Sequence, residues 1–172
     1  LTRIENFLFE GCKSLEKIII PSSLSFIGKS AFSKCTSLAL VILESPSLLA
    51  HVDENAFNEC TSLVRMEIPS SLTLIKDYVF SGCSSLTQLS FSSPSSVVSI
   101  ASYSFYQCTS LEEIELPASL TSIGFSAFRD CSLLKKVSIP ASVNQIEWNA
   151  FNGCAALAQI LIPSELTSIK LN

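Results

Sequence analysis

The chain has 172 residues, of which 48% are hydrophobic and 15% charged, and its net charge is −4 at neutral pH. This composition excludes a disordered segment and a basic nucleic-acid binder, and the length suits one ordinary domain or one short repeat array. No apolar run approaches the roughly 18 residues of a membrane span, no signal-peptide pattern is visible in the sequence given, and there is no Asn-x-Ser/Thr sequon.

In chain order, the first element is a triplet, Phe9, Cys12 and Leu15, spaced three apart. Leu15 leads into Ile18-Ile19-Ile20 and then Pro21. Alternation sends Ile18 and Ile20 to one face and Lys17 and Ile19 to the other, and the proline, which lacks a ladder donor, stops the strand. A polar turn follows, then a second apolar pair, Leu24 and Ile27, which forms a second wall and could be a short strand of its own. Ala31-Phe32-x-x-Cys35-x-x-Leu38 closes the circuit as a third wall. Its three-residue spacing predicts a helical or 3₁₀ turn with one face inward.

The circuit then repeats along the whole chain. The triplet returns as Phe57/Cys60/Leu63, Phe80/Cys83/Leu86, Phe105/Cys108/Leu111, Phe128/Cys131/Leu134 and Phe151/Cys154/Leu157. The inward strand pairs are Val41/Leu43, Met66/Ile68, Leu89/Phe91, Ile114/Leu116, Val137/Ile139 and Ile160/Ile162. The second-wall pairs are Leu49/Val52, Leu72/Ile75, Val97/Ile100, Leu120/Ile123, Val143/Ile146 and Leu166/Ile169. A fixed period of this size predicts a solenoid. Successive turns run the same way, so their strands pair in parallel, and only stacking buries the inward set as one core.

The seven cysteines are 23, 25, 23, 25, 23 and 23 residues apart, one per turn. A single row of thiols supplies no tetrahedral cage for zinc, and an odd count cannot pair completely. The expected state is a column of buried free thiols acting as small apolar groups. The two longer turns place their extra residues between strand and proline, at Leu43-Glu44-Ser45-Pro46 and Phe91-Ser92-Ser93-Pro94. Both are expected to bulge from one rim at the strand exit. Residues 1–14 begin part-way through a turn and Leu166–Ile169 opens another, so residues 1–172 are expected to be one array of about seven turns and part of a longer one.

The consensus Leu-x-x-Ile-x-Ile-Pro-x-Ser-Leu-x-x-Ile-Gly-x-x-Ala-Phe-x-x-Cys resembles the BspA-like, or Treponema pallidum-type, class of leucine-rich repeats. The stretches Ile18 to Cys35 and Ile114 to Cys131 match it closely. Departures are the two insertions, Val79 and Ser104 at the Ala position, and Glu, Lys or Ala in place of several glycines after the second-wall Ile. The resemblance implies an α/β-type leucine-rich-repeat solenoid, a right-handed coil of 23–25-residue turns with one short parallel strand each. It also implies a protein of the cell surface or a secreted one, with a protein ligand such as a host matrix or cell-surface protein. The family motif consists of core residues, so it transfers no functional residue.

Catalysis requires a nucleophile, a base and an orienting group within reach. The only histidine, His51, is expected to point outward beside inward Val52. There is no phosphate-cradling glycine loop and no metal-spaced acidic cluster, so the chain reads as non-enzymatic, with no cofactor. Its surface therefore carries any function. The outward strand positions give an apolar group, Ile19, Leu40 and Ile42, then Arg65 and Glu67. Further on come Glu113 and Glu115 beside Glu112, with Lys135 and Lys136 one turn later. Exposed apolar residues on a sheet face are the more informative signal. Two turns also break a polar rule: the second position after the second-wall Ile holds Lys29, Glu54, Asp77 and Ser102, but then Phe125 and Trp148. These residues are candidates for contact with a partner. The main reading is a protein-interaction or adhesion module; a structural spacer and an intracellular scaffold are the alternatives.

Overall fold

The computed structural model describes residues 1–164 and the backbone of Ser168–Ile169. The sequence pair Leu166/Ile169 lies outside the described side chains. Strands are numbered in chain order. The first wall carries β2 (Lys17–Ile20), β4 (Leu40–Leu43), β6 (Arg65–Ile68), β8 (Gln88–Phe91), β10 (Glu113–Glu115), β12 (Lys136–Ser138) and β14 (Gln159–Leu161). The second wall carries β1 (Arg3–Ile4), β3 (Phe26–Ile27), β5 (His51–Val52), β7 (Leu74–Ile75), β9 (Ser99–Ile100), β11 (Ser122–Ile123), β13 (Gln145–Ile146) and β15 (Ser168–Ile169). All pairings are parallel, and each joins a coil to the next. Each full coil thus carries two strands where the resemblance implied one, because the second apolar pair also pairs between coils.

The third wall is not helical. Within one coil, Ala31 N–H donates to Gly28, Ser33 to Ser30, Cys35 to Phe32 and Leu38 to Cys35, which makes a train of turns. The intervening N–H groups of Ser30, Phe32 and Lys34 donate instead to Glu54, Ala56 and Asn58 of the next coil. A helix would spend every N–H within the segment and leave none to stack with. Ser30 and Lys34 take positive φ, 52° and 60°, and their equivalents do the same in later coils. These left-handed residues keep the chain out of the helical basin. Gly28 is needed for a different reason: a Cβ there would lie 2.5 Å from Asn6 Oδ1 and 2.6 Å from Asn6 N of the previous coil.

The core runs through the middle of the coils. Phe32, Phe57, Phe80, Phe105 and Phe128 are fully buried, and their rings stack from Phe9 to Phe151 with centroids 5.1–5.7 Å apart and planes within 12°. Beside them, each cysteine Sγ–H from Cys35 to Cys154 donates to the phenylalanine carbonyl of the previous coil, at 3.0–3.3 Å. All seven thiols are free; Cys12, in the first turn, is exposed and Cys154 half-buried. Burial pushes the Cys83 thiol up to about 12 and Cys154 to about 11, and raises Cys60, Cys108 and Cys131 as well. One inward pair departs from expectation. Ile160 and Ile162 are exposed, because β14, the last described first-wall strand, is stacked on one side only.

Candidate interaction surface

Strand alternation delivers the first-wall surface as the sequence predicts. Ile19 is exposed and Leu40 and Ile42 are half-buried. Ile19 and Ile42 are register partners, and Leu40 lies between Lys17 and Arg65 on the neighbouring strands. Arg65 and Glu67 are exposed on β6, and Glu113 and Glu115 on β10. Lys136 is the register partner of Glu113, and Lys135 Nζ lies 2.6 Å from Glu112.

The ladder across this face is uneven. β4 pairs with β2 at four positions but with β6 only at Leu40↔Arg65. β8 pairs with β6 at four positions, and among the described residues no ladder joins it to β10. The lapses follow β4 and β8, the strands whose exits carry the two-residue insertions. An open hollow of about 560 Å³ spans β4, β6 and β8, with Leu40, Ile42, Arg65 and Glu67 on its walls. It meets a smaller hollow of about 250 Å³ under the Glu44–Ser47 loop, where Glu67 Oε1 accepts the Ser92 hydroxyl at 2.8 Å. Another of about 550 Å³ spans β8 and β10 between Gln88 and Ser90 on one side and Glu113 and Glu115 on the other. The strand face and the insertion rim, separate features in the sequence, therefore form one surface at β4–β6.

Phe125 and Trp148 are not joined by a ring contact among the described residues. Phe125 instead meets Tyr103 edge-on at 5.2 Å, and Tyr103 stacks on Tyr78 at 4.7 Å and meets Tyr106 edge-on at 5.7 Å. Trp148 stands at the end of this group, 46% exposed. Sequence reasoning missed the tyrosines, although they are all three that the chain has. The signal for Tyr78 and Tyr103 lay one position over: Ser30, Asn55, Ser126 and Asn149 occupy the left-handed site where these two stand, with φ of 58° and 57°.

His51 is exposed, and its ring lies 6.4 Å from Phe26. Among the described residues no group of three or more His, Cys, Asp or Glu could hold a metal ion, and no helix is long and apolar enough to cross a membrane.

Solved structures share this architecture. A leucine-rich-repeat protein of T. pallidum is 30% identical, with a TM-score of 0.69, over 94% of this chain and 63% of that one. A leucine-rich cell surface protein of Faecalibacterium prausnitzii is 26% identical, with a TM-score of 0.62, over 93% of this chain and 58% of that one. The pneumococcal vaccine antigen PcpA shares the fold at 19% identity and a TM-score of 0.54, over 96% of this chain and 57% of that one. The chain thus spans less than two thirds of the length of these proteins. No curated protein matches it. The leucine-rich-repeat fold is in general a non-enzymatic scaffold for protein interaction. The model of the BspA-type leucine-rich-repeat region matches in six copies across residues 2–98 and 88–172, and the chain belongs to that family.

Proposed function

We propose that the chain is a non-enzymatic adhesion or recognition module of a cell-surface protein, and that it binds a protein partner through its first-wall face. One observation carries this reading. Ile19, Leu40 and Ile42 present apolar surface on a sheet face, beside a hollow walled by Arg65 and Glu67. An apolar centre with a charged margin is the layout of a protein contact. Glu113, Glu115 and Lys136 extend the charged margin toward the later coils, and the Phe125–Trp148 corner offers a separate aromatic contact. The cell-surface placement draws on the Faecalibacterium relative, which is described as a cell surface protein. The partner class we favour is a host matrix or cell-surface protein.

The test is surface plasmon resonance of the chain over a panel of immobilised extracellular-matrix proteins. At least one should bind, and Ile42→Asp should weaken it tenfold or more while the thermal melt stays put. Binding indifferent to Ile42→Asp and to charge reversal at Glu113 and Glu115 places the contact off this face. Silence across the whole panel favours the spacer.

A further inference from the structure

One boundary between coils is looser than the others on several counts. It lies between the coil that carries β4 and β5 and the coil that carries β6 and β7. On the second wall, β5 pairs with β3, but among the described residues no ladder joins β5 to β7. On the first wall, Leu40↔Arg65 is the only ladder pair across it, with the Val64 N–H donating to Ala39 O at 3.2 Å beside it. Inside the core, a small apolar void of about 10 Å³ sits at the same level, with Leu49 and Val52 on one side and Met66, Leu72 and Val79 on the other. Met66 is the only methionine of the chain, and methionine is the side chain that adapts best to an irregular gap. In the phenylalanine stack, Phe57 and Phe80 have the widest spacing, 5.7 Å. In the thiol column, Cys83 Sγ to Phe57 O is the longest contact, 3.3 Å.

The third wall does not share this loosening. Asn55, Phe57 and Glu59 donate their N–H groups across the boundary to Asp77, Val79 and Ser81 at 3.1, 2.9 and 2.7 Å. On the second wall, where the β5–β7 ladder is missing, the Lys76 ammonium donates to Asp53 Oδ1 and the Ser71 hydroxyl donates to Leu49 O at 2.7 Å.

We propose that this boundary is a hinge. The coils on either side rotate about the hydrogen-bonded third wall, and two strand walls with almost no shared ladder let them do so. Asp53–Lys76 acts as a clasp on the second wall. The motion changes the width of the hollow between Leu40 and Ile42 on β4 and Arg65 and Glu67 on β6. Packed interfaces move between discrete arrangements rather than deforming continuously, and the void leaves room for a second arrangement here. The inference stands on packing and hydrogen bonding alone and does not depend on which partner the face binds.

Paired spin labels on the second wall test it, in a Cys12→Ser, Cys154→Ser background so that labelling is specific. The pair Ser25→Cys/Thr73→Cys spans two boundaries, one of them the proposed hinge. The pair Thr73→Cys/Thr121→Cys spans two boundaries whose second-wall ladders, β7–β9 and β9–β11, are intact. The expected result is a distance distribution at least twice as broad for the first pair, broadened further by Asp53→Asn, with the second pair unmoved. Amide exchange should agree, with β7 exchanging at least tenfold faster than β9. Equal widths for the two pairs, or an Asp53→Asn effect shared by both, would overturn the hinge.

Discussion

The third wall and the two strand walls belong to the same coils but are held in different ways. From second-wall isoleucine or valine to the leucine of the triplet, every coil counts the same number of residues: Ile27 to Leu38, Val52 to Leu63, Ile75 to Leu86, and so on to Ile146 and Leu157. The third wall therefore keeps one register throughout, with stacked rings, thiol-to-carbonyl contacts and backbone bonds at every step. All length variation falls between strand and proline, and the first-wall ladder thins or lapses after the coils that carry it. Constant length holds a stack together, and insertion loosens the wall into which it is placed. The consequence for function is that the face most open to a partner is also the face with least backbone continuity.

The sharpest way to break this comparison is to attack the thiol column with alkali. Cys60, Cys83, Cys108 and Cys131 are buried, and desolvation raises each above the ordinary 9.0. A raised folded-state value means that the folded chain holds its thiol protons more tightly than the unfolded chain. That contribution is complete below pH 9 and is lost as pH rises toward the folded values. Each thiol then costs up to about 1.4 kcal/mol per pH unit, and four together up to about 5.5. Urea midpoints measured from pH 8 to pH 10 should fall steeply, and less so in Cys83→Ala. A flat profile would mean that the column is hydrated and the third wall is not a sealed spine.

Next in size is the ring stack. Phe80 is fully buried at the widest step, and Phe80→Ala should cost about 3–5 kcal/mol in chemical denaturation. A melt unmoved by this change would remove the stack as the main stabilising feature.

Most of the fold was legible because burial repeats. The solenoid, parallel pairing, inward positions and free thiols all follow from which residue types recur at the fixed intervals. The third wall was misjudged because three-residue spacing fits both a 3₁₀ turn and a train of β-turns. Only the partners of Ser30, Phe32 and Lys34 N–H in the next coil distinguish the two, and those bonds leave no mark in side-chain periodicity. The candidate surface was half legible. Alternation located Ile19, Leu40, Ile42, Arg65 and Glu67, but the hollows depend on where ladders lapse, which is a property of pairs of coils. Tyr78 and Tyr103 were missed because they stand one position past the column of Asp77 and Ser102, and Tyr106 because it follows the inward Phe105.

A finer test uses one repeat position in two neighbouring coils. Val79 and Ser104 both replace the usual alanine, and both are buried. Val79 lines the void, so Val79→Ala removes two carbons and enlarges it, at about 1–3 kcal/mol. The Ser104 hydroxyl lies 2.7 Å from Ala101 O and 3.1 Å from Lys76 O, so it is satisfied locally. Ser104→Ala restores the family residue and should cost about 0.5–1.5 kcal/mol. Differential scanning calorimetry of both variants should rank them in that order. A reversed order would mean that the coil carrying Ser104, not the void, is the weaker level of the stack.

The smallest expected effect separates the members of the aromatic corner. Tyr103 contacts three rings, Tyr78, Tyr106 and Phe125. Trp148 is 46% exposed, and its backbone carbonyl accepts the Ser126 N–H. Aromatic pairs contribute about 0.5–1.5 kcal/mol beyond the area they bury, so Tyr103→Ala should cost about 1–3 kcal/mol. Trp148→Ala takes away no such pair and should stay within about 1 kcal/mol. Because Trp148 is the chain's only tryptophan, its fluorescence reports on this corner without interference from another indole. It should emit to the red and be readily quenched by iodide in the free protein, and shift to the blue only if a partner covers it. A blue-shifted, protected indole in the free chain would show that Trp148 is already packed; the corner would then be structural along its whole length, and a partner contact there should be abandoned in favour of the strand face.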